Sequence, residues 1–236
     1  MTREQGNNTV IVAGGTGALG AAVARAFLAA GDRVAVTYRR QEEYDALSAG
    51  SPAGLSGTQL DATDDAAAQR FVAEVAAKQG SVDGLVVTIG GYAGGKNLWE
   101  ADASTYAQMM DLNLRAAWTM ARAVLPVMIR QNRGYLVNVA SKAGYGHSAG
   151  AALYAASKAG ALALWDSLAE EVKAYNINVN SIVPSIMDTP ANRRAMPKVD
   201  FSRWPSTEDV AKVIVFLCSD SARVIHGAAI PVYGKT

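Results

Sequence analysis

The stretch Val82 to Ile89 is apolar at nearly every position. A strand with one wet face alternates apolar and polar residues. One that is apolar throughout is covered on both sides, the condition of a parallel sheet with helices on each face. The rest of the chain supplies the partners such a sheet needs. Thr9 to Ala13, Arg33 to Tyr38, Thr58 to Leu60, Gly134 to Ala140, Ile177 to Val183 and Ala229 to Val232 read as further strands. Between them lie an alanine-rich helical stretch to Ala30, stopped by Gly31, and then Gln41 to Ala49, Asp64 to Gln79, Ala103 to Gln131, Ala151 to Tyr175 and Thr207 to Ser219. Strand and helix alternate without linker or repeat. The expected fold is α/β, one domain over residues 1–236, with a doubly wound, Rossmann-like parallel sheet of seven strands and right-handed crossovers.

Charge and cysteine content narrow the function classes. Twenty-two basic and 21 acidic residues leave a net charge of +1, spread along the chain, which excludes the basic footprint of a general nucleic-acid binder. Cys218 has no second cysteine to pair with, and His147 and His226 are too few to complete a zinc site, so no metal is expected. The apolar run Leu85 to Gly95 is broken by glycine and too short for a bilayer. Met1 to Asn8 is polar and lacks the apolar region of a secretion signal. A cytoplasmic, soluble protein with no membrane partner is the expectation.

Between the first strand and first helix lies Gly14-Gly15-Thr16-Gly17-Ala18-Leu19-Gly20. Backbone N–H groups at a helix N-terminus cradle a pyrophosphate, Gly14 permits the tight turn, and Gly20 lets the helix approach the sheet. Glycine turns also arise for purely structural reasons. The position of this one in the chain points to a dinucleotide site. At the end of the second strand, where a site preferring NAD places Asp or Glu, stands Tyr38, followed by Arg39 and Arg40. An arginine grips a 2′-phosphate through paired, charge-assisted hydrogen bonds, so NADPH is expected over NADH, with Arg39 the larger contributor and Arg40 its helper.

Four further residues mean little singly. Tyr154 and Lys158 are one helical turn apart, and an ammonium near a phenol lowers the phenol pKa. Ser141 follows the fifth strand, at the sheet edge shared with the glycine turn, and read alone would cap a loop. Asn113 lies inside a helical stretch, where asparagine is a poor helix former.

Taken in order, these residues resemble the short-chain dehydrogenase/reductase family, in its small single-domain branch. The likeness runs from Ala13–Gly20 through Leu60-Asp61-Ala62-Thr63-Asp64, Asn113, Ser141 and Tyr154-Ala155-Ala156-Ser157-Lys158 to Val183-Pro184-Ser185. It implies a catalytic tetrad of Asn113, Ser141, Tyr154 and Lys158, with Lys158 also on the nicotinamide ribose and Asn113 holding a water. It implies adenine contacts from Asp61 and Ala62, a cofactor contact at Gly90, and Pro184, Ile186 and Thr189 at the nicotinamide end. The implied activity is NADP(H)-linked interconversion of a carbonyl and a secondary alcohol.

Three departures stand out. The family's Asn-Asn-Ala-Gly is here Val87-Thr88-Ile89-Gly90, its Pro-Gly is Pro184-Ser185, and its Asp-Gly-Gly is Val232-Tyr233-Gly234. The first puts local sheet hydrogen bonds in question rather than the chemistry. Gly90-Gly91-Tyr92-Ala93-Gly94-Gly95 is similar to a loop of dihydropteridine reductases, which typically lack the serine present here as Ser141. A quinonoid dihydropteridine-type reductase and a non-catalytic nucleotide-sensing protein are the alternatives, the second opposed by the complete tetrad. The expected substrate pocket is Tyr92, Tyr145, His147, Met187 and Trp204, under a lid at about 190–205. The resemblance also implies a homotetramer through the long helices at Ala103–Gln131 and Ala151–Tyr175.

Overall fold

The computed structural model describes residues 7–236, so six residues of the polar N-terminal segment lie outside it. Seven parallel strands form one sheet in the order β3-β2-β1-β4-β5-β6-β7. They are β1 (Thr9–Ala13), β2 (Arg33–Tyr38), β3 (Leu55–Gln59), β4 (Gly84–Val87), β5 (Gly134–Val139), β6 (Ile177–Pro184) and β7 (Ala229–Val232). The order reverses between β1 and β4, and the crevice above such a switch point is where open α/β sheets bind ligands. The turn after β1 and the turn after β4 therefore face each other.

Helices α1 (Ala18–Ala29), α2 (Gln41–Ser48), α3 (Asp65–Gln79), α4 (Ala103–Met110), α5 (Ala116–Gln131), α6 (Ala152–Glu171), α7 (Pro190–Ala195) and α8 (Thr207–Leu217) cover the sheet. Alternate residues of the central strands enter opposite cores. Val10, Val12, Val86 and Val137 pack with Phe27, Ile214 and Leu217 on the α1/α8 side. Ile11, Leu85, Val87 and Leu136 pack with Phe71, Met120 and Trp165 beneath α3, α5 and α6. This is why β4 lacks alternation: both of its faces are buried. Among the described residues, no helix is long and apolar enough to cross a membrane.

The structure corrects four of the expected elements. β3 begins at Leu55 rather than Thr58, because this edge strand pairs only with β2 and its half-exposed Ser56 and Gly57 carry no strand signal. β4 is shorter than Val82–Ile89, since the Val82 N–H is taken by the Gln131 side chain instead of the sheet. The helix expected over Ala103–Gln131 contains a π-turn at Asp111–Arg115 that separates α4 from α5. The segment expected as a lid is partly helical: Thr189 caps α7, accepting from the Asn192 N–H, and a 3₁₀ turn follows at Phe201–Arg203.

Candidate active site

The glycine turn has the geometry its residues demand. Gly14 has φ +80°, where a side chain would be strained, and its N–H donates to Thr37 Oγ1 at 2.9 Å. A Cβ on Gly20 would lie 2.1 Å from the Gly14 carbonyl oxygen, so only glycine lets α1 start this close to β1. Leu19 points into the core, while Gly17 and Ala18 are exposed at the helix start. Thr88 ties the facing turn to this one: its hydroxyl contacts the carbonyls of Ala13 at 2.8 Å and Gly14 at 3.1 Å. Thr88 thus supplies a side-chain link across the switch point despite the departure from Asn-Asn-Ala-Gly.

From this turn opens a cavity of about 460 Å³, bordered by Thr16, Gly17, Arg39, Asp61, Ile89 and Gly90 among others. Arg39 pairs with Asp61 across it, and Arg40 pairs with Glu43. Burial would raise the Asp61 carboxyl, but hydrogen bonds from the Thr63 N–H and hydroxyl, with the charges of Arg39 and Arg115, hold it below the usual carboxylate range. Ala62 is buried beside Asp61. Tyr38 is also buried: its ring stacks on Tyr44 at 4.7 Å and its hydroxyl donates to Gln41 Oε1. Tyr38, an expected cofactor contact, borders the cavity while its ring and hydroxyl hold α2.

At the other end of the cavity, Asn113 sits in the π-turn and is buried. Its Oδ1 accepts from the Gly91 N–H at 3.0 Å, and its Nδ2 donates to the Gly91 carbonyl at 3.0 Å and to Ser157 Oγ at 3.1 Å. Both amide hydrogens are committed to protein groups, so the Asn113 side chain clamps the loop after β4. Ser157, which the sequence did not single out, passes the link on by donating to the Tyr154 carbonyl at 2.8 Å. Its position between Tyr154 and Lys158 was the available signal.

Lys158 is fully buried, and its Nζ donates to the Val139 carbonyl at 2.9 Å. Burial lowers its pKa from 10.5 to about 8. A Cβ on Gly90 would lie 3.1 Å from that Nζ, so Gly90 is small where the lysine passes. The Tyr154 phenol is raised by burial and by nearby Tyr92, with the Ser141 hydroxyl pulling it down. Desolvation is the largest influence on this phenol, and the Lys158 ammonium is turned onto the β5 carbonyl. Ser141 Oγ accepts from the Ala143 N–H at 3.2 Å, leaving its own proton to donate.

The expected substrate residues divide. Tyr92 is exposed and meets Tyr154 edge-on, with ring centres 5.0 Å apart. Tyr145 and His147 are exposed on the loop after β5, with His147 Nδ1 near the Ala143 carbonyl. Met187 packs partly against the α1/α8 core. Trp204 is buried against Phe201. Their loop is braced by Arg193, which grips the Asp188 carboxylate with Nε and Nη2 and lies over the Phe201 ring at 5.0 Å. At the end of β6, Pro184 is buried, Ile186 is half-buried, and Thr189 is occupied as the α7 cap.

A family model described as short chain dehydrogenase matches residues 8–200. Over 236 residues the chain is 31% identical to the 3-oxoacyl-(acyl-carrier-protein) reductase MabA of Mycobacterium bovis, covering 97% of this chain and 92% of that protein. Among solved structures, a short-chain type dehydrogenase/reductase from Mycobacterium ulcerans matches with TM-score 0.91 at 26% identity, covering 98% of this chain and 90% of its own. The structure titled ElxO with NADP bound matches with TM-score 0.90 at 25% identity, covering 96% and 97%. With the family model running from β1 past α7, this chain belongs to the short-chain dehydrogenase/reductase family and is an NAD(P)-dependent oxidoreductase.

Proposed function

We propose that the protein reduces a carbonyl on a small organic substrate with NADPH, or oxidises the corresponding secondary alcohol. The observation that carries this reading is one continuous crevice. It runs from the glycine turn and Arg39 to Gly90, against which Lys158 lies, with Tyr154 and Ser141 on the same edge of the sheet. The cavity fits the cofactor: Gly17 is open, Thr16 and Arg39 line it, and among the described residues no side chain caps the start of α1 at Gly17. Thr16, Gly17, Ala18 and Gly20 would surround the pyrophosphate, Asp61 and Ala62 the adenine, and Gly90, Pro184, Ile186 and Thr189 the nicotinamide half.

When bound, the nicotinamide supplies or accepts the hydride. Tyr154 gives its proton to the substrate oxygen, and its raised phenol pKa keeps that proton in place at neutral pH. Ser141 donates a hydrogen bond to the same oxygen, where negative charge develops. Lys158 holds the β5 carbonyl with one N–H, and its remaining donors would hold the nicotinamide ribose. Asn113 fixes the loop that closes this corner. Tyr92, with Tyr145, His147 and Met187 further out, borders the substrate.

Arg39, released from Asp61, would grip the 2′-phosphate, and the NADP-bound neighbour supports that direction. A homotetramer through α5 and α6 and a cytoplasmic location belong to the same reading. Tyr106 and Trp118 are exposed on the α4–α5 side, as an interface requires. The test is a panel of ketones and alcohols followed by NADPH and NADH absorbance, with mass by light scattering. Turnover with NADPH and a tetrameric mass are expected. A higher kcat/KM with NADH would overturn the cofactor assignment, and a monomeric mass the assembly.

A further inference from the structure

The acid missing from the end of β2 is supplied from the next helix. Glu43 on α2 borders the cavity together with Thr16, Gly17 and Arg40. One carboxylate oxygen pairs with Arg40, and the other accepts from Thr16 Oγ1 at 3.0 Å. The placement has a traceable cause. Gly57 leaves room for the Tyr44 ring, since a Cβ there would lie 2.2 Å from it. Tyr44 then stacks flat on Tyr38 with only 8° between the rings. That stack holds α2 over the end of β2, and Glu43, one residue before Tyr44, is turned toward the glycine turn.

We propose that Glu43 determines cofactor specificity at this corner: its carboxylate competes with a 2′-phosphate for Thr16 and Arg40, and accepts the adenosine 2′-hydroxyl when NADH binds. With Asp61 on Arg39 and Glu43 on Arg40, both arginines of the corner are already neutralised. An incoming phosphate must take Arg40 from Glu43 and then share the cavity with the displaced carboxylate, a like-charge arrangement that opposes binding. A neutral 2′-hydroxyl meets no such opposition and brings a donor that the carboxylate can accept. Glu43 therefore tempers the preference that Arg39 and Arg40 confer and leaves NADH usable. The inference rests on the cofactor reading above and names the residue that limits it.

The test reads binding apart from turnover. Titration calorimetry with 2′,5′-ADP and with 5′-AMP isolates the adenosine corner, and tryptophan fluorescence gives Kd for NADPH and NADH. Glu43→Gln keeps the size and an acceptor while removing the charge. It is expected to tighten 2′,5′-ADP and NADPH about tenfold and to weaken NADH severalfold. In an Arg40→Ala background the gain in phosphate affinity is expected to vanish. Affinities for both phosphorylated probes within twofold of wild type would overturn the proposal. So would an equal gain for 5′-AMP and 2′,5′-ADP, which would assign the effect to general charge. The outcome is separable from the parent reading: a wild type that prefers NADH defeats the NADPH assignment, whereas the change caused by Glu43→Gln tests Glu43.

Discussion

The two ends of the cofactor crevice are held by different physics. Around Lys158 the bonds are buried or partly buried, and most run from a side chain to a backbone group: Lys158 to Val139, Asn113 to Gly91, Ser157 to Tyr154. Around Arg39 they are side-chain ion pairs open to water, with Arg39 63% and Asp61 45% exposed. A buried donor that loses its backbone partner pays its full desolvation cost, so the catalytic end has one arrangement. An exposed ion pair contributes little and can exchange partners, so the adenosine end can open for a phosphate. On the proposed function, rigidity is placed where a proton would be aimed, and exchangeable charge where a phosphate would be captured.

The largest test of the rigid end removes the proton itself. Tyr154→Phe is expected to lower kcat by about 10²–10⁴-fold while cofactor Kd stays within about twofold of wild type. Single-turnover kinetics beside fluorescence titration measures both. A matching loss of cofactor affinity would mean that the phenol holds the site together rather than serving as its acid.

Lys158 tests whether the catalytic end is as dry as its geometry implies. Its folded pKa of about 8 lies below the ordinary 10.5, so between these values the unfolded chain binds more protons than the folded one. Stability is therefore expected to rise with pH across that window, and below pH 8 the buried ammonium costs the full difference, about 3 kcal/mol. Lys158→Met is expected to lose activity yet unfold at higher urea concentration than wild type at pH 7, the gap narrowing by pH 10. Urea curves at both pH values check the sign. A constant gap would mean that Lys158 titrates as an exposed lysine. In the wild type, kcat/KM for carbonyl reduction is expected to fall above about pH 8 as the ammonium is lost.

Asn113→Ala removes the clamp and leaves the Gly91 backbone and the Ser157 hydroxyl without that partner. A loss of about 2–3 kcal/mol in stability and a tenfold or larger fall in kcat are expected. At the exchangeable end the effect is smaller. Arg39→Ala is expected to reduce the NADPH-to-NADH ratio of kcat/KM by about tenfold with little change in urea midpoint. A variant that kept the full ratio would move the phosphate contact to Arg40.

The same contrast explains what could be read from the sequence. β1, β2 and β7 stand at the limits their β-branched runs suggest, and Ser141, Tyr154 and Lys158 fall on one sheet edge because helical spacing and strand ends fix them. The start of β3 is not legible, because a half-exposed edge strand with Ser56 and Gly57 has no periodic signal. The π-turn left only Asn113 as a trace, a poor helix former within a helical run. Glu43 was invisible for a different reason. Its place in the crevice depends on Tyr44 stacking on Tyr38, a contact between helix and strand that no local pattern encodes. Trp204 reads as a lid aromatic in sequence and is buried against Phe201 in space.

The smallest expected effect tests the sheet that supports the rigid end. Val87 stands in register with Asn138 on the neighbouring strand. By strand alternation both side chains point toward the α3/α5/α6 layer, to which Val87 and Leu136 belong. Asn138 is buried, and among the described residues its Nδ2 has no hydrogen-bond partner. An asparagine at 87, as in the family pattern, would bring an amide oxygen to a cross-strand neighbour about 5 Å away by backbone spacing. Satisfying that donor is expected to stabilise Val87→Asn by about 1 kcal/mol, less whatever the new amide's own hydrogens fail to recover. The control is the same substitution in an Asn138→Ala background, where the amide meets no partner and a net cost is expected. Urea midpoints of the four proteins close the cycle. A gain in both backgrounds would assign the effect to packing; a loss in both would mean that the orphaned Asn138 amide is not a defect that this position can repair.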